Sequence, residues 1–376
     1  MNNKFIPVCE PLLSGNELKY IIEAVSTGWI SSSGKFVDEF EKSFSDYCGV
    51  KYGVAVCNGT VALHICLATC GIGPGDEVIV PDFTMISTAF AVCYTGAKPV
   101  FIDADPHTWN IDVDKIEEKI NSKTKAIMPV HIFGNMCNMD KIVDIAKKYN
   151  LLIIEDAAEA HGSEYKGKKS GSFSDIAAFS FFANKNITTG EGGMVITDNE
   201  EIYNKAKYYK NLCFPLSGNR NYLHDDIGFN YRMSNLHAAI GLAQVERADY
   251  YRELRIKNHL LYKKYLSGCE GIVFQIEEED SLNVHWMNSI LIDSVKFGKS
   301  RDEVLGRLKQ VGIDTRLLFK GMHRQKALKD YGCDCTDDYK VTERLSESGF
   351  YLPSGSGLTE EDIKRICNEI IKFRKS

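Results

Sequence analysis

The sequence predicts an α/β protein with a mostly parallel central sheet in a large first region, followed by a smaller α+β region. Two observations carry this. Between residues 50 and 200, short continuous apolar runs alternate with segments of helical spacing, the rhythm of a parallel sheet covered on both faces. After about residue 240 that rhythm stops, and one long charged helical stretch leads into scattered strands. The expected division is 1–240 for the large region and 241–376 for the small one, with the N-terminal segment contacting the latter.

In chain order, Tyr52–Cys57 reads as a strand, and Gly59–Cys70 carries apolar residues at helical spacing. Glu77–Pro81 is again a strand, Ile86–Tyr94 a helix, and Pro99–Asp103 and Lys125–His131 strands. Met139–Tyr149 is a helix and Leu151–Asp156 a strand, while Asp175–Ser180 and Gly193–Asp198 add two more β-rich runs. Asn235–Tyr265 reads as one long helix, Gly271–Gln275 and Val284–Ile292 as strands, and two helices close the chain.

Composition narrows the function classes. The 376 residues are 44% hydrophobic and 26% charged, ordinary for a globular protein. The 30 glycines and 9 prolines are too few for a fibrous or disordered chain. A net charge of −6 argues against a broadly basic nucleic-acid surface. The N-terminus lacks the apolar run of a signal peptide, and no stretch is long enough to cross a membrane. A cytoplasmic protein with reduced cysteines is therefore expected. Cys333-x-Cys335 stands without a second pair, the histidines show no metal spacing, and no metal is expected.

Three features fall at the carboxyl ends of expected strands, where open α/β sheets bind ligands. Cys57-Asn58-Gly59-Thr60 ends a strand and opens a helix, whose free N–H groups and dipole suit an anion. Leu151 to Gly162 delivers Glu155 and Asp156 to a strand end, followed by small residues that let a flat ring lie close. Ala178 to Gly193 places Lys185 between an aromatic strand and a glycine-rich turn, where desolvation makes a neutral amine available. An anion cup, an acid and a semi-buried lysine in this order are the parts that pyridoxal phosphate requires.

With Gly28-Trp29-Ile30-Ser31, Gly73-Pro74-Gly75-Asp76 and Gly228-Phe229-Asn230-Tyr231-Arg232-Met233, these motifs make nearly the whole chain resemble the nucleotide-sugar aminotransferases of the DegT/StrS group. The resemblance implies the aspartate-aminotransferase-like fold (fold type I) and pyridoxal 5'-phosphate. The long lysine motif is closest to members that aminate the 4-keto carbon of GDP-4-keto-6-deoxymannose with L-glutamate as donor. It implies Lys185 as the imine-forming, proton-moving lysine and Asp156 as partner of the pyridine nitrogen. Glu159 is implied at the phenolic oxygen, and Gly59, Thr60 and Ser180 at the phosphate. Asn230 is implied at the cofactor of the other subunit of a homodimer.

Met85 stands where the family commonly has a ring-stacking aromatic, and its sulfur can serve that role. Trp29, Ser31 and His131 are candidate acceptor contacts. Arg316 and His323, in a basic run ending at Arg324, are candidate anchors for acceptor phosphates. Other nucleotide-linked keto sugars, a small phosphorylated ketone, and a non-catalytic regulator on the same fold stay open at this point.

Overall fold

In the computed structural model, which describes residues 4–217 and 222–375, a seven-stranded sheet and a four-stranded sheet organise the chain, with a small three-stranded sheet beside them. The first elements are helices α1 (Glu17–Ser26) and α2 (Lys35–Cys48), with Phe36, Phe40 and Phe44 of α2 buried. Strand β1 (Tyr52–Val56) then leads into α3 (Gly59–Thr69), β2 (Glu77–Pro81), α4 (Ile86–Tyr94), β3 (Lys98–Ile102) and β4 (Thr124–Ile127). Next come α5 (Met139–Tyr149), β5 (Leu152–Asp156), β6 (Glu164–Tyr165), β7 (Lys168–Lys169), β8 (Ile176–Ser180), β9 (Gly193–Thr197) and α6 (Glu200–Lys210).

The large sheet has the order β1-β9-β8-β5-β4-β2-β3. All its pairings are parallel except those of β9, which runs antiparallel to both β1 and β8. Its strands are buried on both faces, which is why they read as unbroken apolar runs.

The remainder comprises α7 (Asn235–Val245), α8 (Ala248–Leu266), β10 (Ile272–Phe274), β11 (Ser281–Leu282), β12 (Asn288–Ile292), α9 (Ser294–Phe297), α10 (Arg301–Gln310), β13 (Arg316–Leu317), α11 (Lys326–Tyr331), α12 (Lys340–Ser348), β14 (Gly349–Leu352) and α13 (Glu360–Lys375). Strands β10, β12, β14 and β13 form the second sheet in that order, all antiparallel. Residues of α8, α10 and α13 close its core. The N-terminal segment reaches this region, because Ile6 bridges Ile313.

The expected single helix over 235–265 is two helices. At the break, Glu246 accepts hydrogen bonds from Asn16 (2.7 Å) and Tyr20 (2.5 Å), and Arg247 donates to Ser14. Those tethers turn the chain between α7 and α8. The expected strands 125–131 and 284–292 are both shorter, ending at Ile127 and starting at Asn288, and the freed residues line or approach the pocket described next.

Candidate active site

A pocket of about 560 Å³ opens where the carboxyl ends of β2, β5 and β8 meet the start of α3. Asn58, Gly59, Thr60, Met85, Asp156, Glu159, Ser180 and Lys185 line it, joined from the second half of the chain by Trp286, Phe319 and Tyr351.

The start of α3 forms a cradle. Asn58 caps the helix, its side chain accepting from Val61 N at 3.0 Å. By helix geometry the N–H groups of Gly59 and Thr60 have no acceptor within the helix. A Cβ on Gly59 would lie 2.6 Å from Cβ of Ser180, so only glycine lets the helix start and the end of β8 close up. Thr60 donates its hydroxyl to Ser87 at 3.0 Å, which orients the rim. Free N–H groups, hydroxyls and a helix dipole at one spot favour a phosphate-like anion.

Asp156 ends β5 and is buried. Its carboxylate accepts from Thr88 Oγ1 at 2.8 Å and from Ala158 N at 3.2 Å. Thr88 has one hydroxyl proton and spends it on Asp156, so Thr84, 3.0 Å away, must donate to Thr88. Burial pushes the Asp156 carboxyl up, and the bonds from Thr88 and Ala158 pull part of that back. Glu159 is also buried and accepts from Phe133 N at 2.7 Å. Phe133 holds a left-handed backbone (φ 57°), a strained conformation that aims its N–H at this carboxylate. Burial raises Glu159 to about 7.

Lys185 follows β8 and its amine lies 3.7 Å from the centroid of the Trp286 ring. Burial lowers its pKa, and the charges of Glu159 and Asp156 restore only part. The loop that carries it is pinned through the Asn184 carbonyl, which accepts from Trp286 Nε1 (2.9 Å) and Arg255 (3.4 Å). Buried Arg255 also donates to the Trp286 carbonyl at 2.9 Å, tying α8 to the lysine loop. Beneath lies His161, packed among Phe44, Phe179 and Phe181 and held neutral, its pKa lowered to about 3 by burial and by the Lys185 charge.

Several of the expected site residues do not line this chain's own pocket. His131 is fully buried and does not line the pocket. Its Nδ1 accepts from Cys137 N at 3.2 Å, which puts the proton on Nε2, and Nε2 meets Glu155 at 2.8 Å. With both nitrogens engaged it supports Glu155, the neighbour of Asp156, instead of touching an acceptor. His323 is clamped between Asp82 (2.6 Å) and Glu343 (2.6 Å) and stacked on Tyr339. His323, expected as a phosphate anchor, thus has both ring nitrogens on carboxylates and lies outside the pocket lining. Arg324 pairs with Glu343, Arg316 with Asp314, and Lys320 donates to the Ser346 carbonyl. Arg316 is exposed on β13 and does not line the pocket. Trp29, Ser31 and Asn230, the last expected at the other subunit's cofactor, are exposed and outside its lining; the carbonyl of Trp29 accepts from the Asn235 side chain and that of Ser31 from the Asn235 backbone N–H.

Sequence reasoning missed Thr84, Thr88, Trp286, Phe319, Tyr351 and Arg255. The first two flank Met85 and carried a signal, a threonine pair at i and i+4. The others carried none.

The comparisons with known proteins cover the whole length. A family profile described as the DegT/DnrJ/EryC1/StrS aminotransferase family matches residues 11–371. A GDP-perosamine synthase of Caulobacter vibrioides is 46% identical over 96% of this chain and 96% of its own. One from Escherichia coli O157:H7 is 43% identical over 98% and 99%. Among solved structures, DesI in the presence of its TDP-sugar product superposes with a TM-score of 0.90 at 29% identity, covering 100% of this chain and 94% of DesI.

Proposed function

We propose, for a chain that belongs to the DegT/DnrJ/EryC1/StrS aminotransferase family, that it moves the amino group of L-glutamate onto the 4-keto carbon of GDP-4-keto-6-deoxymannose, making GDP-perosamine. The enzyme is an aminotransferase dependent on pyridoxal phosphate. The observation that carries the reading is the joint presence, around one pocket, of an anion cradle, a buried acid and a desolvated lysine. The name shared by relatives at 43% and 46% identity supports the substrate.

The residues present fit the cofactor. A Cβ on Gly59 would fill the cradle, and Gly59, Thr60 and Ser180 would hold the phosphate. Asp156 would pair with the pyridine nitrogen, Glu159 with the phenolic oxygen, and Met85 would lie on the ring. When bound, the cofactor supplies an electron sink for the charge left as an amino-acid Cα–H proton departs.

Lys185 takes that proton as a neutral amine, because its burial in this wall lowers the cost of being uncharged. It returns the proton in the second half-reaction, when the keto acceptor replaces the amino acid. A positioned base of this kind contributes about 10²–10⁴-fold. Asp156 keeps the opposite charge close by, held by Thr88, and Trp286 covers the amine and excludes water.

A homodimer belongs to the same reading. Met85 and Phe182 at the pocket are about half exposed, at 48% and 47%, and Ile227, near Asn230, is 91% exposed. A second copy covering these residues would bring its own Asn230 to the cofactor, with Trp29, Ser31 and Arg316 as further candidates toward the acceptor. The division into domains of residues 1–240 and 241–376 is supported by the separate seven-stranded and four-stranded sheets, which the small sheet of β11, β6 and β7 links across that boundary. Among the described residues no helix is long and apolar enough to cross a membrane, which supports a cytoplasmic enzyme.

The test is to incubate purified protein with L-glutamate and GDP-4-keto-6-deoxymannose, beside UDP- and dTDP-linked 4-keto sugars and small phosphorylated ketones. Mass spectrometry is expected to show the keto oxygen replaced by an amino group on the GDP sugar. Amination of another acceptor in its place overturns the substrate, and amination of none overturns the enzyme.

A further inference from the structure

Outside the pocket, the fold stacks two histidines that the sequence leaves unpaired. His259, on α8, and His285, just before β12, lie face to face with ring centroids 3.5 Å apart and planes 7° apart. Both are buried, at 5% and 6% exposure. Nδ1 of His259 meets Oδ1 of Asn288 at 3.0 Å, so it must carry the proton, and Nε2 is left with a lone pair. That Nε2 is buried and has no hydrogen-bond partner. A buried acceptor without a donor costs about 1–3 kcal/mol.

Nε2 of His285 faces Oε1 of Glu277 at 3.5 Å. One ligand atom from each of the three residues lies within 4.8 Å of the others. Burial holds both imidazoles neutral, the form with a lone pair to give. The backbone at His285 is left-handed (φ 48°), so its ring is presented at some conformational cost.

We propose that His259, His285 and Glu277 bind a divalent transition cation of borderline softness, zinc foremost, which ties α8 to the segment carrying Trp286. Two imidazoles and a carboxylate are a ligand set for zinc, cobalt or nickel. The hydrogen bond from His259 to the Asn288 side-chain carbonyl is the outer support that a ligating histidine uses to fix its tautomer. Ligand atoms of a tetrahedral zinc site lie roughly 3.3 Å apart, from Zn–N bonds of about 2.0–2.1 Å. Closing from 4.8 Å requires a tilt of the stacked rings out of parallel and a swing of Glu277, which is exposed and free to make it. Lys263, one turn after His259 on α8, is the opposing charge; it acts on all three groups. The site therefore binds more weakly than one without a lysine beside it. Because His285 precedes Trp286, the cation stiffens the wall over Lys185 without touching the chemistry.

The test uses full-length, cofactor-loaded protein under reducing conditions, titrated with Co²⁺ alone and then with Zn²⁺. One saturable cobalt per chain is expected, with ligand-field bands and no thiolate charge-transfer band. Glu277→Gln is expected to weaken binding at least about tenfold, and His259→Ala to remove it. Zinc is expected to raise the thermal midpoint of wild type and not that of Glu277→Gln, and both are expected to transaminate alike without added metal. Glu277 is exposed, so its variant keeps the test valid should His259→Ala not fold. No saturable binding, equal affinity in wild type and Glu277→Gln, or a thiolate band overturns the site.

Discussion

The Lys185 amine and the Trp286 ring, 101 positions apart in the chain, meet at 3.7 Å in the wall of one pocket. The indole also donates Nε1–H to the carbonyl of Asn184, the residue before the lysine, so one side chain both covers the amine and pins its loop.

Removing that contact gives the first prediction. Trp286→Ala is expected to destabilise the protein by about 3–5 kcal/mol, the usual loss for a buried indole. Trp286→Phe keeps a ring over the amine and leaves the Asn184 carbonyl with Arg255 as donor. It is expected to cost about 1 kcal/mol and to retain most turnover. Chemical denaturation and steady-state transamination check both.

Thr88 is expected to act through Asp156. Thr88→Val removes a hydrogen bond that holds the buried carboxyl down. A bond to a charged group is worth about 1.5–3 kcal/mol, so cofactor affinity is expected to fall about 10–100-fold. Thr88→Ser restores the donor and is expected to recover most of it. Equilibrium binding of pyridoxal phosphate reads this directly, and equal affinity in Thr88→Val and wild type contradicts it.

Gly59→Ala places a methyl group 2.6 Å from Cβ of Ser180, which neither the helix start nor the strand end can yield without moving. Cofactor retention through gel filtration is expected to drop, with the dissociation constant rising about tenfold or more, about 1.4 kcal/mol.

Glu159 makes the fold sensitive to pH. Its folded pKa is raised from 4.5 to about 7 by burial. A group raised in this way contributes stability that is present below about pH 4.5 and is lost as pH rises through about 7. In cofactor-free protein, Glu159→Gln is therefore expected to gain on wild type by about 1–3 kcal/mol between the acid and neutral ends of that window. Denaturant midpoints at several pH values check it, and a constant difference contradicts it.

Much of this pocket was legible along the chain because its chemistry sits at strand ends. Gly59, Asp156, Glu159, Ser180 and Lys185 each lie within a few residues of the end of an apolar run, and a parallel sheet brings such ends to one edge. Trp286, Phe319 and Tyr351 were not legible, since the second half of the chain delivers them through tertiary packing that no local pattern encodes. His323 shows the limit most clearly. In its own window it stands among Lys320 and Arg324 and reads as part of a basic patch. Its partners are Asp82, 241 positions away, and Glu343, and with them it is a neutralised clamp. The 235–265 helix failed for the same reason, because the tethers that break it come from Ser14, Asn16 and Tyr20.

The most direct measurement is to reduce the cofactor-loaded protein with borohydride, digest it, and locate the modified residue by mass spectrometry. A phosphopyridoxyl group on Lys185, with no such group and no transamination in Lys185→Ala, is the expected result. The group on another lysine, or full turnover in Lys185→Ala, contradicts the account.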